Sequence, residues 1–408
     1  MAKFPLPSPL IDTAENLASK PRATLPASMQ KDYKIALNFL KQYQGNKATF
    51  EAYRREIERL LQWTGYIARK SVILLKRQDI ENYLTFCLKP PKSWIAVKRV
   101  PRFVEQAGKR IPNPTWRPFV VTVSKYEHKK EVKPDKGNYH LSQKALQEIF
   151  TVLTSFYNYL VLEEKISINP VALIKQKSKY LQKQQKQAPV RRLSDQQWQR
   201  CLKMVKEMAT HDPSKHERTL FILSAFYLLY LRISELVESD RWSPQMGHFY
   251  RDSQNRWWFK TVGKGNKMRD IAVSDDMLSA LKRYRESQGF SSLPLPNEKI
   301  PLLSKEKGKG AITSTRHLRR LVQMCFDKAI NHLRKERNYT EANALESATV
   351  HWLRHTGISD DINKRKRPIA HVRDDAGHRT SATTDRYNDI ELKERHSSAK
   401  YKRLKSDY

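Results

Sequence analysis

The sequence predicts a mainly α-helical protein with a small β-sheet, divided into two folded domains. The chain of 408 residues exceeds the usual size of one domain, and its 39% hydrophobic residues suffice for two cores. Apolar residues recur with helical spacing along both halves, whereas strand-like alternation is confined to two short regions. A polar, lysine-rich segment at 175–191 separates the halves and predicts a basic linker.

The first half predicts a helical domain at 31–174, preceded by a proline-containing segment without periodicity at 1–30 that we interpret as a flexible leader. The clearest helix follows Ser142, the expected N-cap. Its buried stripe is expected to comprise Leu146, Ile149, Phe150, Leu153, Tyr157 and Leu160. An insertion at about 88–140 contains "WRPFVVTVSKYEHKK", whose alternation indicates a hairpin. Its cations could contact phosphate or simply be solvated.

The second half predicts a domain at 192–392 and a C-terminal tail at 393–408. Ser194 begins a capping-box pattern, and the apolar run at 219–230 predicts a buried helix too short to span a bilayer. The stretch "GHFYRDSQNRWWFKTVGKGNKMRDIAVS" predicts strands joined by a turn at "GKGNK". The tail could dock on a neighbouring subunit or fray, and the linker could help close a clamp or be a simple tether.

The charge balance points to a polyanionic partner. Lysine and arginine number 77 against 42 acidic residues, a formal net charge of +35. Such an excess costs self-repulsion and is typical of nucleic-acid-binding proteins, although solubility is the simpler explanation. A membrane surface is less favoured because the basic residues are spread along the chain. Three distant cysteines without CxxC spacing and no signal-peptide pattern fit a reducing, cytoplasmic location.

Metal and nucleotide sites are disfavoured by the motifs that the chain lacks. His351 and His355 have the spacing of helical zinc ligands, but Trp352 stands where the metalloprotease motif needs glutamate. The "GKGNK" turn does not match a phosphate-binding Walker motif. The sequence therefore predicts no metal and no cofactor.

What remains is a cationic set with one tyrosine that could act as a nucleophile. Its members are Arg232, Lys264, His351, Arg354, His378 and Tyr387. Guanidiniums can stabilise the charge that develops on a phosphorane, each contributing roughly 3–4 kcal/mol in comparable sites. A histidine can take the proton of an attacking tyrosine, and a lysine can protonate a leaving oxygen. This set predicts metal-free phosphoryl transfer.

The ordered motifs of the second domain resemble those of the tyrosine recombinases, the phage integrase family. "LRISEL" resembles the first arginine motif, and "VGKGNKMRDIAV" resembles the strand-turn-strand that carries the catalytic lysine. "HWLRHT" matches the HxLRH box, and "GHRTSATTDRY" matches the box that ends in the nucleophile. The resemblance is close over 192–392 and is one of pattern only over 31–180. Three departures are Tyr230, where glycine is common, an unusually basic stretch "DDINKRKRPIAHVRDD", and the insertion near 88–140, which compact members lack.

The resemblance implies a fold and a division of labour. A helical, SAM-like core-binding domain and an α+β catalytic domain would form a C-shaped DNA clamp. Arg232, Arg354 and His378 would bind the scissile phosphate, and Tyr387 would attack it to give a 3′-phosphotyrosyl link. Lys264 would be the general acid. His351 would be the acid/base partner of Tyr387, and Glu235 would orient the catalytic set. Lys267 and Arg269 would contact DNA. The second histidine of "HWLRH", His355, is interpreted as structural.

The implied function is a site-specific DNA recombinase that integrates, excises or resolves a mobile element. Its partners would be double-stranded DNA with specific core sites, three further copies in a tetramer, and possible accessory DNA-bending proteins. The implied location is the nucleoid, without a membrane partner. Two alternatives are a type IB topoisomerase-like relaxase and a DNA-binding regulator without catalysis.

Overall fold

A computed structural model shows two compact units, Met1–Lys186 and Gln187–Tyr408. Their boundary falls within the predicted linker at 175–191. The described residues are 4–18, 27–123, 127, 131–172, 174, 180, 191–263, 265–378, 380–385, 387, 396 and 399. Helices dominate both units and the sheets are small, so the predicted fold class is confirmed. The predicted tail at 393–408 lies outside the described residues apart from positions 396 and 399.

Four α-helices are described in the first unit, and they surround one hydrophobic core. They are α1 (Ala27–Lys41), α2 (Lys47–Trp63), α3 (Arg77–Leu88) and α4 (Gln143–Leu162). The Ser142 hydroxyl accepts a hydrogen bond from the Ala145 amide, which confirms the predicted N-cap of α4. All six residues of the predicted α4 stripe are buried.

The prediction of a flexible leader is wrong for residues 4–18. The amides of Leu10 and Ile11 donate to the two carboxylate oxygens of Glu58 on α2 at 3.1 and 3.3 Å. Both residues are buried in the core of the unit. This segment has no periodicity because a carboxylate 48 and 47 positions away, rather than a helix or strand, satisfies these amides.

Two small sheets lie in the described part of the insertion, and the hairpin described there precedes the segment in which alternation suggested one. Residues 124–126 and 128–130 of that segment lie outside the described residues. Strands β2 (Phe103–Gln106) and β3 (Lys109–Pro112) form the antiparallel hairpin. Strands β1 (Ile95–Ala96) and β4 (Phe119–Val120) pair in parallel.

Two arginines of the insertion have structural partners within the same unit. Arg102 forms an ion pair with the buried Glu58. Arg110 forms a bidentate pair with Asp12 at 2.6 and 2.9 Å. These arginines therefore hold the insertion against α2 and the N-terminal segment. The sequence had suggested only that cations of the insertion contact phosphate or are solvated.

The second unit is built from eight described helices around a larger core. They are α5 (Asp195–His211), α6 (Pro213–Leu228), α7 (Asp275–Ser287), α8 (Thr315–Lys335), α9 (Tyr339–Glu346), α10 (Val350–Asn363), α11 (Ile369–Ala376) and α12 (Ser381–Asp385). The predicted capping box at Ser194 and Gln197 is confirmed at the start of α5. In the described parts of both units, every helix is too short or too polar to cross a membrane.

A three-stranded antiparallel sheet completes the second unit. Its order is β5 (Phe249–Arg251), β6 (Trp257–Val262) and β7 (Met268–Ala272). Val262 pairs with Met268, so the "GKGNK" turn joins β6 to β7 as predicted.

Helices α6 and α10 approach each other very closely at Gly357. A Cβ atom at this position would lie 1.9 Å from the carbonyl oxygen of Tyr227 on α6. Only glycine permits this approach. The contact places the middle of α10, including Arg354, beside the turn that follows α6.

Candidate active site

The first cluster of the site joins two arginines to one buried carboxylate. Glu235, 2% exposed, accepts hydrogen bonds from Arg232 at 2.9 Å and from both terminal nitrogens of Arg269 at 2.8 and 3.1 Å. Burial raises the pKa of Glu235, but the hydrogen bonds from Arg269 and the charges of Arg269 and Arg232 lower it by more. The pKa of Glu235 therefore lies below its usual value. The carboxylate is therefore ionised and fixes both guanidiniums.

The turn between β6 and β7 leaves room for these arginines. A Cβ at Gly263 would lie 2.7 Å from the Arg269 guanidinium and 3.4 Å from that of Arg232. Lys264, the predicted catalytic lysine, lies outside the described residues. Lys267 is exposed at the end of the same turn. Arg269, also predicted to contact DNA, instead points inward, with its side chain 10% exposed and paired with Glu235.

Arg354 is the most deeply buried cation of the site, at 2% exposure. One terminal nitrogen donates to the carbonyl of Tyr230, and the other donates to the Ala376 carbonyl at 2.6 Å and to His378 at 3.2 Å. Burial, followed by the charge of Arg232, lowers the pKa of Arg354 to about 9. The guanidinium remains charged at neutral pH, but the surrounding protein compensates its charge incompletely.

His378 is held in one tautomer by its two neighbours. Arg354 can only donate, so the Nε2 atom that it contacts must accept. The proton then lies on Nδ1, which is 2.9 Å from the Thr384 hydroxyl. Burial, together with the charges of Arg354 and Arg232, lowers the pKa of His378 to about 4. The imidazole is therefore neutral at physiological pH in this structure.

Tyr387 reaches the same region from the chain that follows α12. Its side chain is 4% exposed, and its carbonyl accepts a hydrogen bond from Asn363 at 2.7 Å. Its ring lies parallel to that of His378, with 5.9 Å between centroids. Its hydroxyl forms a hydrogen bond with Nδ1 of His355.

The two histidines of α10 lie one turn apart on the same face. Their rings meet edge to face, with 4.2 Å between centroids. His351 is the exposed member, and desolvation followed by the charges of Arg354 and Arg232 lowers its pKa. His355 was predicted to be structural, but it is the histidine that contacts the Tyr387 hydroxyl.

Tyr230 shapes the site through its backbone. Its φ of 51° lies in the left-handed region, which explains why glycine suits this position. The residue is 1% exposed, and its hydroxyl contacts the Asp361 carboxylate and Arg367. This anchored turn presents the carbonyl that receives Arg354.

The basic stretch after α10 proves to be largely structural. Arg365 pairs with Asp361, and Arg367 bridges Asp361 and Asp375 at 2.7 and 2.8 Å. Both carboxylates are buried. These arginines therefore neutralise acidic groups that support the Tyr230 turn and α11, and the stretch is not simply a solvated basic surface.

The described part of the site carries more positive than negative charge. The guanidiniums of Arg232, Arg269 and Arg354 face one nearby carboxylate, that of Glu235. Such a site favours an anion with several acceptor oxygens, such as a phosphodiester. Among the described residues, no three histidine, cysteine, aspartate or glutamate side chains are grouped to hold a metal ion.

Sequence motifs identified the residues that gather here, but not all of their partners. Five of the six motif residues and Glu235 lie in the described part of the second unit. Glu235 is in contact with Arg232 and Arg269, and the other four motif residues form a second group of contacts that includes His355. Two contributors were missed, His355 and Tyr230. The spacing of His355 from His351 and the replacement of glycine at Tyr230 were the available signals.

Comparison with known proteins agrees with these features. The sequence profile described as "Phage integrase family" matches residues 191–394, which is half of the chain. Tyrosine recombinase XerC of Chlorobaculum parvum is 23% identical over 263 residues, covering 63% of this chain and 71% of that protein. Tyrosine recombinase XerD of Rickettsia prowazekii is 26% identical over 152 residues, covering 37% of this chain and 45% of that protein.

Solved structures share the fold at low sequence identity. The XerH site-specific recombinase bound to palindromic difH substrate, in a post-cleavage complex, superposes with a TM-score of 0.54 at 14% identity. The match covers 91% of this chain and 84% of that chain. The Tn1549 transposon integrase in complex with transposon right end DNA gives 0.52 at 15% identity, covering 90% and 98%. With its profile match, ordered motifs and shared fold, the chain belongs to the phage integrase family, the family of the tyrosine recombinases.

Proposed function

We propose that the protein is a site-specific tyrosine recombinase that cuts and rejoins duplex DNA through a 3′-phosphotyrosyl intermediate. The observation that carries this proposal is the excess of positive charge beside a buried tyrosine. Burial, followed by the charges of neighbouring arginines, lowers the pKa values of Arg354 and His378. A scissile phosphate would supply negative charge to these cations.

The residues divide into ligands of the phosphate and groups that hold them. Arg232, Arg354 and His378 bind the non-bridging oxygens as charge develops in the transition state. Once phosphate replaces His378 as a partner of Arg354, Nε2 of His378 can take up a proton and donate a hydrogen bond to the phosphate. Glu235 orients Arg232, and Arg269 holds Glu235 from the other side.

The chemical step conserves the energy of the bond that it breaks. The Tyr387 oxygen attacks phosphorus, the bond to the 5′ oxygen breaks, and that oxygen receives a proton from Lys264, the proposed general acid. His351 is a further acid/base group of the site. Attack by a partner strand's 5′-hydroxyl reverses these steps, so the reaction needs no nucleotide cofactor.

Assembly and role are proposed from the family. A homotetramer on specific core sites would exchange strands through a Holliday junction, with accessory DNA-bending proteins in some settings. Integration, excision or resolution of a mobile element would use the same residues. Strand exchange should then require two sites in the same reaction, whereas relaxation of a one-site supercoiled plasmid would indicate a topoisomerase-like activity.

The nucleophile can be tested with a suicide DNA substrate, whose cleavage product cannot be religated. Tyr387→Phe should keep DNA affinity within about twofold of wild type and form no covalent adduct, because only the attacking oxygen is lost. Tyr339→Phe is the matched control, since this exposed tyrosine lies on α9. A covalent adduct in Tyr387→Phe, or none in wild type, contradicts the proposal.

A further inference from the structure

The hydroxyl of Tyr387 has a specific partner, and that partner lies outside the six motif positions. It contacts Nδ1 of His355, and the two rings lie 5.3 Å apart between centroids. We infer that His355 is a further catalytic residue, which accepts the phenolic proton when Tyr387 attacks phosphorus. The inference rests on the proposed function and assigns one step of it.

Burial gives the tyrosine proton few places to go. A phenol becomes an effective nucleophile only as its proton leaves, and Tyr387 is 4% exposed. Bulk water therefore has little access to the hydroxyl, and a side chain must take the proton. His355 is half-buried and already within hydrogen-bond reach, which is the geometric requirement for a general base.

His378, the other histidine beside the Tyr387 ring, is occupied. Its Nε2 accepts from Arg354 and its Nδ1 faces Thr384. Its parallel ring stacks on the tyrosine. Its low pKa also makes it a poor proton acceptor. This arrangement leaves His378 as a phosphate ligand.

His351 supports His355 from one turn away. It packs edge to face against the His355 ring and is the more exposed of the two. The sequence motif had assigned the tyrosine proton to His351. The geometry instead places His355 between His351 and the tyrosine hydroxyl as the first acceptor.

The step balances without another reagent. In cleavage, the bond from Tyr387 oxygen to phosphorus forms while its proton moves to Nδ1 of His355, in the tautomer that carries hydrogen on Nε2. The bond from phosphorus to the 5′ oxygen breaks, and a separate acid protonates that oxygen. In rejoining, the 5′-hydroxyl attacks, and the Nδ1 proton returns to the departing phenolate.

The test measures the rate of adduct formation on a suicide substrate between pH 6 and 9.5. His355→Ala should slow adduct formation about 10²-fold or more at pH 7, the usual contribution of a general base. Its rate should keep rising with pH as hydroxide replaces the lost base, whereas the wild-type rate levels off. His355→Asn, which can retain a hydrogen bond but not the basicity, should behave like His355→Ala. His371→Ala, at an exposed histidine of α11, is the matched control and should resemble wild type.

A substrate with sulfur in place of the bridging 5′ oxygen separates the base from the acid. A thiolate leaves without protonation, so this substrate should rescue variants of the general acid and leave His355→Ala slow. The inference is overturned if the sulfur substrate rescues His355→Ala, or if both His355 variants keep wild-type rates and pH profiles. The proposed function still stands in that case, provided that the wild-type protein forms the covalent adduct. A DNA affinity and an unfolding midpoint close to wild type confirm that each variant is folded.

Discussion

At the scale of single residues, Tyr230 combines an unfavourable backbone with favourable side-chain contacts. Its φ of 51° costs a residue with a Cβ about 1–2 kcal/mol. Its buried ring belongs to a hydrophobic cluster that includes Ile358, Ile362 and Tyr387, and its hydroxyl contacts Asp361 and Arg367. The contacts outweigh the strain, because truncation of a buried aromatic side chain costs about 3–5 kcal/mol.

We therefore expect Tyr230→Gly to lower the free energy of unfolding by about 2 kcal/mol or more, although glycine fits the backbone better. Urea unfolding of the isolated protein measures this change. Tyr230→Phe is the control, since it keeps the ring and loses only the hydroxyl, at a cost of about 1 kcal/mol. A Tyr230→Gly variant as stable as wild type would show that strain outweighs packing.

Residues whose role depends on local order in the chain could be predicted, and those whose role depends on distant contacts could not. Arg232, Arg354 and Tyr387 lie in recognisable motifs. His355 differs from His351 in function only because Tyr387, 32 positions away, reaches its nitrogen. Helical spacing placed both histidines on one face but did not indicate which one the tyrosine would meet.

At the scale of elements, an ionic network joins the end of α10 to α11. Arg367 connects Asp361 and Asp375, each less than 10% exposed. Burial raises the pKa of Asp375, and its hydrogen bond and ion pair with Arg367 offset only part of that rise. The arginine thus stabilises two carboxylates that the fold has removed from water.

Arg367→Ala should lower the free energy of unfolding by about 2 kcal/mol, because Asp375 loses its ionic partner while Asp361 keeps Arg365. Thermal unfolding at neutral pH measures the loss. Arg373→Ala is the matched control on α11, since Arg373 pairs with the exposed Asp374 and should leave stability close to that of wild type. Equal effects of the two substitutions would contradict a special role for Arg367.

The same contrast between local and distant interactions decides which elements could be predicted. Ser142 and Ser194 begin helices through bonds to amides three positions away, so the sequence pattern sufficed. The segment at residues 4–18 has no pattern because Glu58 satisfies two of its amides from another helix. The hairpin was predicted at residues that include β4, because β4 alternates like a hairpin strand. In the structure β4 instead pairs in parallel with β1.

At the scale of the whole molecule, ion pairs within the protein cannot neutralise the net charge of +35, because basic residues far outnumber acidic ones. In most ion pairs of the described residues the cation is an arginine, as with Arg102, Arg269 and Arg367. The many exposed lysines therefore remain to attract the DNA backbone at long range. Binding should be dominated by phosphate neutralisation and the release of counterions.

We expect the affinity of Tyr387→Phe for a duplex to fall by about 10³-fold or more between 50 and 200 mM salt, as for proteins that neutralise six or more phosphates. Fluorescence anisotropy at several salt concentrations gives the slope of log affinity against log salt.

Added in the Tyr387→Phe background, Lys267→Ala should reduce that slope by about one unit if this exposed lysine contacts phosphate. Arg269→Ala is the contrasting variant, because its guanidinium faces Glu235 inside the site. It should leave the slope unchanged and, with Tyr387 intact, slow cleavage. A slope near zero for Tyr387→Phe itself would show that the excess charge serves another purpose.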